Sequence, residues 1–474
     1  MGGATTSVRA GEGAAGRPPG PGRAAGRAAV VLITFILLPA LFAPRPAAGG
    51  TGGAAGSGAA RTVSLPEAYS LALASHEDVL VAGELVVQAR SNLGRATSGM
   101  LPTVVAEGTY TKYTQQIRAS GFLIQPDDAT RVDLKVTQPL YAGGRKWYGR
   151  RRAMIGLEGS RVDHAAVKER VLLATAEAYY SVLKAERNVE IQEAAERRAG
   201  ERLKVAAARL EAGEVTKADL LRAEAEAAGA EAALITARSA LIDATDILKR
   251  FIGVAGEVSL VEPPAGEDVS AGVEDLLGTA YERRRDYRRR RLDEREAAEG
   301  VAVARGSFFP TLDFVGTYTH RDQHPTTSFL LEDSSSGSVV FTYPLFEGGL
   351  RRSEFSEARS KLREAELRRL ALKRDIEVEV RDAYNELTAL RAVLRSLARQ
   401  VAFAREDYKM VFEQFKFGVA TTVDVIDSDA NLIEAESSLA SARYDIETAK
   451  LRLRTATGVL FDELTAGKKL SASE

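Results

Sequence analysis

PLYAGG at residues 139–144 returns as PLFEGG at residues 344–349, 205 positions later. The same offset carries Ala178-Tyr179 onto Ala383-Tyr384, Gly213 onto Gly418, Asp219 onto Asp424 and Gly253 onto Gly458. Two segments of 115 residues, 139–253 and 344–458, therefore align without a gap. Upstream, Pro102-Thr103 matches Pro310-Thr311 and Asp78 matches Asp286, both at an offset of 208. The three-residue difference falls between those prolines and the PL-x-x-GG motifs, where surface loops vary in length. The chain is one unit written twice, and the fold has to be read with that in view.

The bulk properties exclude more than they assign. Among 474 residues the net charge is −1, so no global field favours nucleic acid or an acidic substrate. Cysteine is absent, which removes disulfides, thiolate metal sites and cysteine nucleophiles. No interior apolar run approaches the roughly 20 residues of a spanning helix, although a membrane β-barrel would escape that test. At the N-terminus Arg9, Arg17, Arg23 and Arg27 precede the apolar run 28–43 and the small residues Ala47, Ala48 and Gly49. That order predicts a secretory signal over 1–48, an uncleaved anchor being the alternative. A flexible Gly/Ala lead-in is expected over 49–62, a first repeat over 63–253, a linker over 254–269, a second repeat over 270–458 and a tail over 459–474.

Periodicity assigns the elements. Residues 144–213 contain no proline and are rich in Ala, Glu, Arg and Leu, all good helix formers. Val171, Thr175, Ala178, Val182, Ala185 and Val189 recur at 4-3-4-3-4 spacing, matched by Ile376, Val380, Ala383, Leu387, Leu390 and Leu394. This 3.5-residue repeat is a coiled-coil seam on a helix about 100 Å long. Shorter helical stretches, about 65–101 and 216–252 in the first copy, would match the long helix if stacked end to end. Strands come from period two: Val132, Leu134 and Val136 alternate with Asp133, Lys135 and Thr137. TVVAEGTYTKYT (103–114), TLDFVGTYTH (311–320) and the run around Val339 and Phe341 behave likewise. Four strands cannot close a barrel, which needs about eight, so other copies must complete the edges. Tyr141, Trp147, Phe308, Phe309, Tyr343 and Phe346 fall at strand–helix junctions, as an interfacial belt or as caps of the helix ends.

The segments GEVTKADLLRAEA (213–225) and GVATTVDVIDSDA (418–430) then mark where each long helix turns back. Gly213 and Gly418 suit the left-handed residue that ends a helix. Thr216 with Asp219, and Thr421 with Asp424, have capping-box spacing. Asp427 stands where the first copy has Arg222, and capping does not need it. Two readings stand for it: an ordinary solvated acid, or one of a stacked ring of carboxylates if several chains surround an axis.

With those motifs in hand, the chain resembles the TolC-like outer membrane efflux protein family from about Leu65 to Gly458. The resemblance rests on the duplicated PL-x-x-GG, the LPT and FPT strand starts and the two G-x-x-T-x-x-D tips. It implies a mainly α fold with a small β part. Duplicated helical hairpins would form a periplasmic tunnel, and four strands per chain would contribute to a trimeric twelve-stranded outer-membrane barrel. It implies a passive exit duct of an efflux or type I secretion system, with outer-membrane lipid around the barrel. A periplasmic adaptor would meet the tips at 211–221 and 416–426 and couple them to an inner-membrane pump. Asp424 and Asp427 fall at the family's constricting acidic rings, with Asp219 at the partner position on the neighbouring tip. The chain departs from the family at Phe415, where a tyrosine locks the closed tip, and at Ala420, where an arginine does.

Other functions fare worse. The four histidines are scattered except His320 and His324, which do not converge on a strand, and no metal or cofactor is expected. No phosphate-binding loop or nucleophile–base pattern supports an enzyme. The run RRRDYRRRR (283–291) is expected to be a solvated helix face rather than a nucleic-acid site. A periplasmic coiled-coil adaptor or scaffold without a pore would explain the helices but not the four strands.

Overall fold

The computed structural model describes residues 61–466 except 265, 267, 269, 270 and 328. The signal-sequence assignment, residues 49–60 of the lead-in and the end of the tail lie outside the described residues. In chain order the first copy is β1 (Arg61–Val63), α1 (Leu65–Ser75), α2 (Glu77–Ser98), β2 (Thr103–Lys112), β3 (Ile117–Ala119), β4 (Phe122–Gln125), β5 (Asp128–Ala142), α3 (Arg145–Glu211) and α4 (Lys217–Ile252). After β6 (Val258–Leu260) the second copy runs α5 (Val273–Arg283), α6 (Arg285–Gly306), β7 (Thr311–His324), β8 (Asp333–Thr342), α7 (Leu350–Lys416) and α8 (Thr422–Ala456). A short α9 (Leu460–Ala466) closes the described chain.

The long helices α3 and α7 have 67 residues each, about 100 Å at 1.5 Å per residue. In the first-copy seam Val171, Thr175, Ala178 and Val182 are buried. Thr175 fits there because its hydroxyl bonds back to the Val171 carbonyl at 2.7 Å. In the second copy Ile376, Val380 and Leu387 are buried. Neighbours explain the unequal burial. Helix α3 lies between α2 and α4 on one side and α6 and α8 on the other, and buries nineteen residues. Helix α7 packs on α6 and α8 and buries five, leaving Leu367, Leu370, Val378 and Phe403 exposed.

The stretch expected as one helix over 65–101 is two helices broken at His76. That residue takes an extended conformation (φ −68°, ψ 126°) and caps α2, its Nδ1 accepting the Asp78 N–H. Its ring stacks on Phe251 at 5.5 Å, so the break docks α1 against the end of α4. Arg284 repeats the break between α5 and α6 (φ −61°, ψ 126°), gripping Asp286 with two hydrogen bonds of 3.0 and 2.7 Å. Gly253 and Gly458 close the two junctions. Both have positive φ, and a Cβ would lie 2.7 Å from Ser75 Oγ or the Arg284 nitrogen, respectively.

The strands form one antiparallel sheet in the order β2-β5-β7-β8, with β2 and β8 as open edges. Register sorts its faces. Val104, Val136, Gly316 and Gly337 make one row, and Ala106, Leu134, Tyr318 and Ser335 the next. On the opposite face Glu107, Asp133, Thr319 and Ser334 are in line. One face is thus largely apolar and the other polar. A β3–β4 hairpin, absent from the expectation, lies in the β2–β5 connection. Three further elements lie outside the two repeats as bounded. Arg61 and Thr62, assigned to the lead-in, and Val258–Leu260, assigned to the linker, pair as parallel strands β1 and β6. The tail contains α9. The parallel pair is held by Tyr179 of α3, fully buried, whose hydroxyl lies 3.0 Å from the Val63 carbonyl and 2.6 Å from that of Val261, and accepts the Val261 N–H at 3.1 Å.

Tyr179→Phe keeps the packing but removes that shared partner from the buried Val63 carbonyl and the part-buried backbone of Val261. It is expected to lower unfolding stability by about 1–3 kcal/mol, read by urea titration in detergent, with faster amide exchange at Val261.

Candidate functional site

The distal ends of the two hairpins are built alike. Helix α3 ends in a Schellman motif: Gly213 (φ 73°) donates to the Leu210 carbonyl at 3.0 Å and Glu214 to that of Arg209 at 2.9 Å. In α7, Gly418 (φ 73°) donates to Phe415 at 3.1 Å and Val419 to Gln414 at 2.9 Å. Three residues after each glycine a threonine caps the returning helix. Asp219 Oδ2 accepts the Thr216 backbone N–H at 3.0 Å and its hydroxyl at 2.7 Å, while the Asp219 N–H donates to that hydroxyl oxygen. Thr421 and Asp424 repeat this at 2.8 and 2.6 Å. Gly213, Thr216, Gly418 and Thr421 therefore reverse the chain, and Asp219 and Asp424 are first of all capping acids.

The two tips differ in charge. The Thr216 hydroxyl and backbone hold the Asp219 carboxyl below its ordinary pKa, and Arg222 stands 3.9 Å away. The Thr421 hydroxyl and backbone do the same for Asp424, but the residue one turn on is Asp427 rather than an arginine. Asp424 and Asp427 are both exposed on one face of α8. Asp219 is half-buried and makes its hydrogen bonds within its own hairpin.

Phe415 is 1% exposed, and the Arg209 guanidinium of α3 sits 5.2 Å over its ring. Arg209 Nη1 also donates to the Phe415 carbonyl at 2.9 Å. Farther from the tip, Arg198 Nε donates to Asp429 Oδ1 at 2.6 Å. Arg202 Nη2 lies 2.7 Å from Asp429 Oδ2, an ionic contact off the hydrogen-bonding direction. Arg202 also pairs with Glu226 of α4 and donates to the Tyr408 hydroxyl of α7 at 3.2 Å. Burial opposes the Arg202 charge, but Asp429 and Glu226 outweigh it and hold the guanidinium above its ordinary pKa. Sequence reasoning passed over these residues, although a signal was present. Arg198, Arg202 and Arg209 are spaced 4 and 7, one face of α3, and their second-copy counterparts are Phe403, Asp407 and Gln414.

His320 pairs with Asp333 at 2.9 Å, and no group of three His, Asp or Glu among the described residues could hold a metal. The arginine run is engaged in ion pairs: Arg284 with Asp286 and Glu379, Arg285 with Glu169 and Asp462, Arg288 with Glu158 and Arg289 with Asp163. Arg284 and Arg285, mostly buried, act as joints between helices, while Arg283 and Arg288 remain exposed as the solvated-face reading expected.

Comparison with known proteins agrees with the duplicated fold. The family model for outer membrane efflux proteins fits residues 68–254 and again 276–459, once per copy. Outer membrane protein TolC of Vibrio cholerae serotype O1 is 24% identical over 392 residues, 79% of this chain and 86% of that one. Alkaline protease secretion protein AprF of Pseudomonas aeruginosa is 26% identical over 385 residues, 78% of each. The Campylobacter jejuni CmeC outer membrane channel superposes with a TM-score of 0.75 at 18% identity, covering 84% of this chain and 86% of that one.

Thr216→Ala and Thr421→Ala are each expected to destabilise their helix start by about 1 kcal/mol. Because both capping carboxyls have lowered pKa values, their contribution is complete above the ordinary aspartate range. It is lost as pH falls through the folded values, below about pH 4. Amide exchange at Thr216 and Thr421 should stay slow from neutral pH to about 5 and accelerate only below 4, beyond the intrinsic pH dependence.

Proposed function

The chain belongs to the outer membrane efflux protein family, and from that premise we propose that three copies form a passive exit duct gated at its periplasmic tip. The observation that carries the reading is that each chain has two unfinished sides. Edge strand β2 follows α2, and with α4 these leave Leu80, Leu85, Ile235 and Ile242 exposed on one side. Edge strand β8 runs into α7, whose exposed apolar residues mark the other. Unpaired backbone is not tolerated in lipid, so the sheet has to close through further copies. Three copies of four strands give twelve, and β2 and β8, with 10 residues each, have the length that a tilted spanning strand needs, roughly 9–11 residues. The apolar rows then face lipid and the Glu107–Asp133–Thr319 row lines water. The aromatic residues at the strand–helix junctions, Tyr141, Trp147 and Tyr343, are exposed as an interfacial belt requires.

Helices about 100 Å long carry the duct away from the membrane, and no described helix is long and apolar enough to cross it. Asp424 and Asp427 from three chains would stack as two carboxylate rings at the narrow end, attracting cations and resisting passage. Asp219 would lie on the alternate tips. The reversals at 211–221 and 416–426 would meet a periplasmic adaptor that links the duct to an inner-membrane pump. Energy would come from that partner, and the chain would supply the duct and the gate.

Conductance in a planar lipid bilayer tests this. The purified parent should give small current steps that multivalent cations block. Asp424→Ala/Asp427→Ala should enlarge the steps severalfold and relieve the block. Equal large steps in both would remove the gate from these acids. Silence from folded, inserted protein would favour a scaffold without a pore.

A further inference from the structure

Both long helices begin on a charge that helix energetics disfavours. Helix α3 opens RKWYGRRR and α7 opens LRRSEF, with no acid in either first turn. A cation there opposes the helix dipole, so the helices themselves do not call for Lys146 and Arg352. Among the described residues Lys146, Arg150, Arg352 and Arg305 of α6 form no ion pair, and the acids of the same turns do not balance them. Glu299 and Glu347 are taken by Arg151 and Arg351, and Glu354 stands alone.

The four cations lie at one level, where the strands give way to helices. Strands β5, β7 and β8 meet the helices at Ala142, Thr311 and Thr342. Arg305 is one residue from the end of α6, and Lys146 and Arg352 are in the first turns of α3 and α7. Arg150 is the deepest, five residues into α3, about 8 Å. The polar layer on each side of a bilayer is roughly 5–8 Å deep, so these turns occupy it on the periplasmic side. A ring accompanies each cation. Lys146, Trp147 and Arg150 share about 100° of the α3 surface. Arg305 precedes Phe308 by three positions and Arg352 precedes Phe355 by three, and those two rings meet edge to face at 6.1 Å. Lys146, Trp147, Arg305, Phe308 and Arg352 are exposed. Neighbouring copies bring the same basic turns to this level, so closing the barrel adds repulsion rather than counter-charge.

We propose that this belt binds the acidic headgroups of phospholipids in the periplasmic leaflet of the outer membrane. Lipid phosphate supplies the counter-charge that the chain lacks there, while the rings sit beside it at the boundary with the hydrocarbon. The proposal rests on the reading of the four strands as part of a closed barrel in that membrane.

The chain has one tryptophan, Trp147, and it lies in the belt, so its fluorescence reports the lipid that touches it. The parent is reconstituted into vesicles of phosphatidylcholine and phosphatidylglycerol, with one lipid or the other carrying brominated, quenching chains. Brominated phosphatidylglycerol should quench Trp147 with a preference of about fivefold, the weight of one basic residue near an acidic surface. Lys146→Gln/Arg150→Gln should bring the preference close to one, and the charge-conserving Lys146→Arg/Arg150→Lys should keep it. Salt at about 1 M, where the Debye length is about 3 Å, should lower it in the parent. Equal quenching by both lipids in the parent, or a preference that Lys146→Gln/Arg150→Gln retains, overturns the proposal. Quenching by neither overturns it too, because Trp147 then lies away from lipid. Conductance in bilayers of the same lipids separates this from the duct reading. Current steps without a lipid preference sink the belt alone. Folded, inserted protein without steps sinks the duct, while the quenching ratio still decides the belt.

Discussion

A helix of 67 residues cannot satisfy its apolar stripe alone, and the rest of the fold follows from giving it a partner along its whole length. A single returning helix of 36 residues covers little more than half of it. The chain therefore stacks a second element, α1 and α2, on the end of the first. The meeting point is a weak place in such a stack, because two helix termini with unpaired backbone groups face each other. Both copies treat it alike. An extended residue, His76 or Arg284, turns the chain, and a left-handed glycine, Gly253 or Gly458, lets the neighbouring helix end approach. The parallel β1–β6 pair and Tyr179 then fix the first-copy junction from outside.

Duplication supplies the geometry, and divergence between the copies supplies the asymmetry. At the tips the backbone solution is the same, down to the Schellman bonds and the capping boxes, so the selection of Gly, Thr and Asp is structural in both. The differences lie in residues the reversal does not use. Arg222 in one copy is Asp427 in the other. The arginines on α3 have no basic counterparts on α7, and Asp429 answers them from α8. The first hairpin thus presents cations to the second, and the second presents acids at the tip. Two hairpins with one backbone thus differ in the charge each presents.

Much of this was legible in the sequence, for a physical reason. Long periodic elements average over many residues, so the 3.5-residue seam through Val171 to Val189 and the alternation through Val132 to Val136 survive local exceptions such as Thr175. Short elements do not average. Strands β1 and β6 have three residues each and exist because Tyr179, more than 80 positions from Val261, holds them. The break at His76 is set by Phe251 packing against it, a contact invisible along the chain. The arginines of α3 were hidden differently. In a helix with many arginines, three on one face resemble solvated charge until the opposite helix shows an aspartate buried against them.

The tip also separates two demands that the sequence merges. Asp424 is tied into the cap of α8 by the Thr421 hydroxyl and backbone, so any substitution there changes the helix start together with the charge at the tip. Asp427 lies one turn on, exposed, outside the capping box. Its carboxylate serves no backbone group, so its charge can be changed with the reversal left intact. The first copy makes the same point in reverse: Arg222 at that position neutralises the tip without disturbing Thr216 and Asp219. The position after the cap is where this fold can set the charge of a tip freely, because the chain reversal has already been accomplished upstream of it.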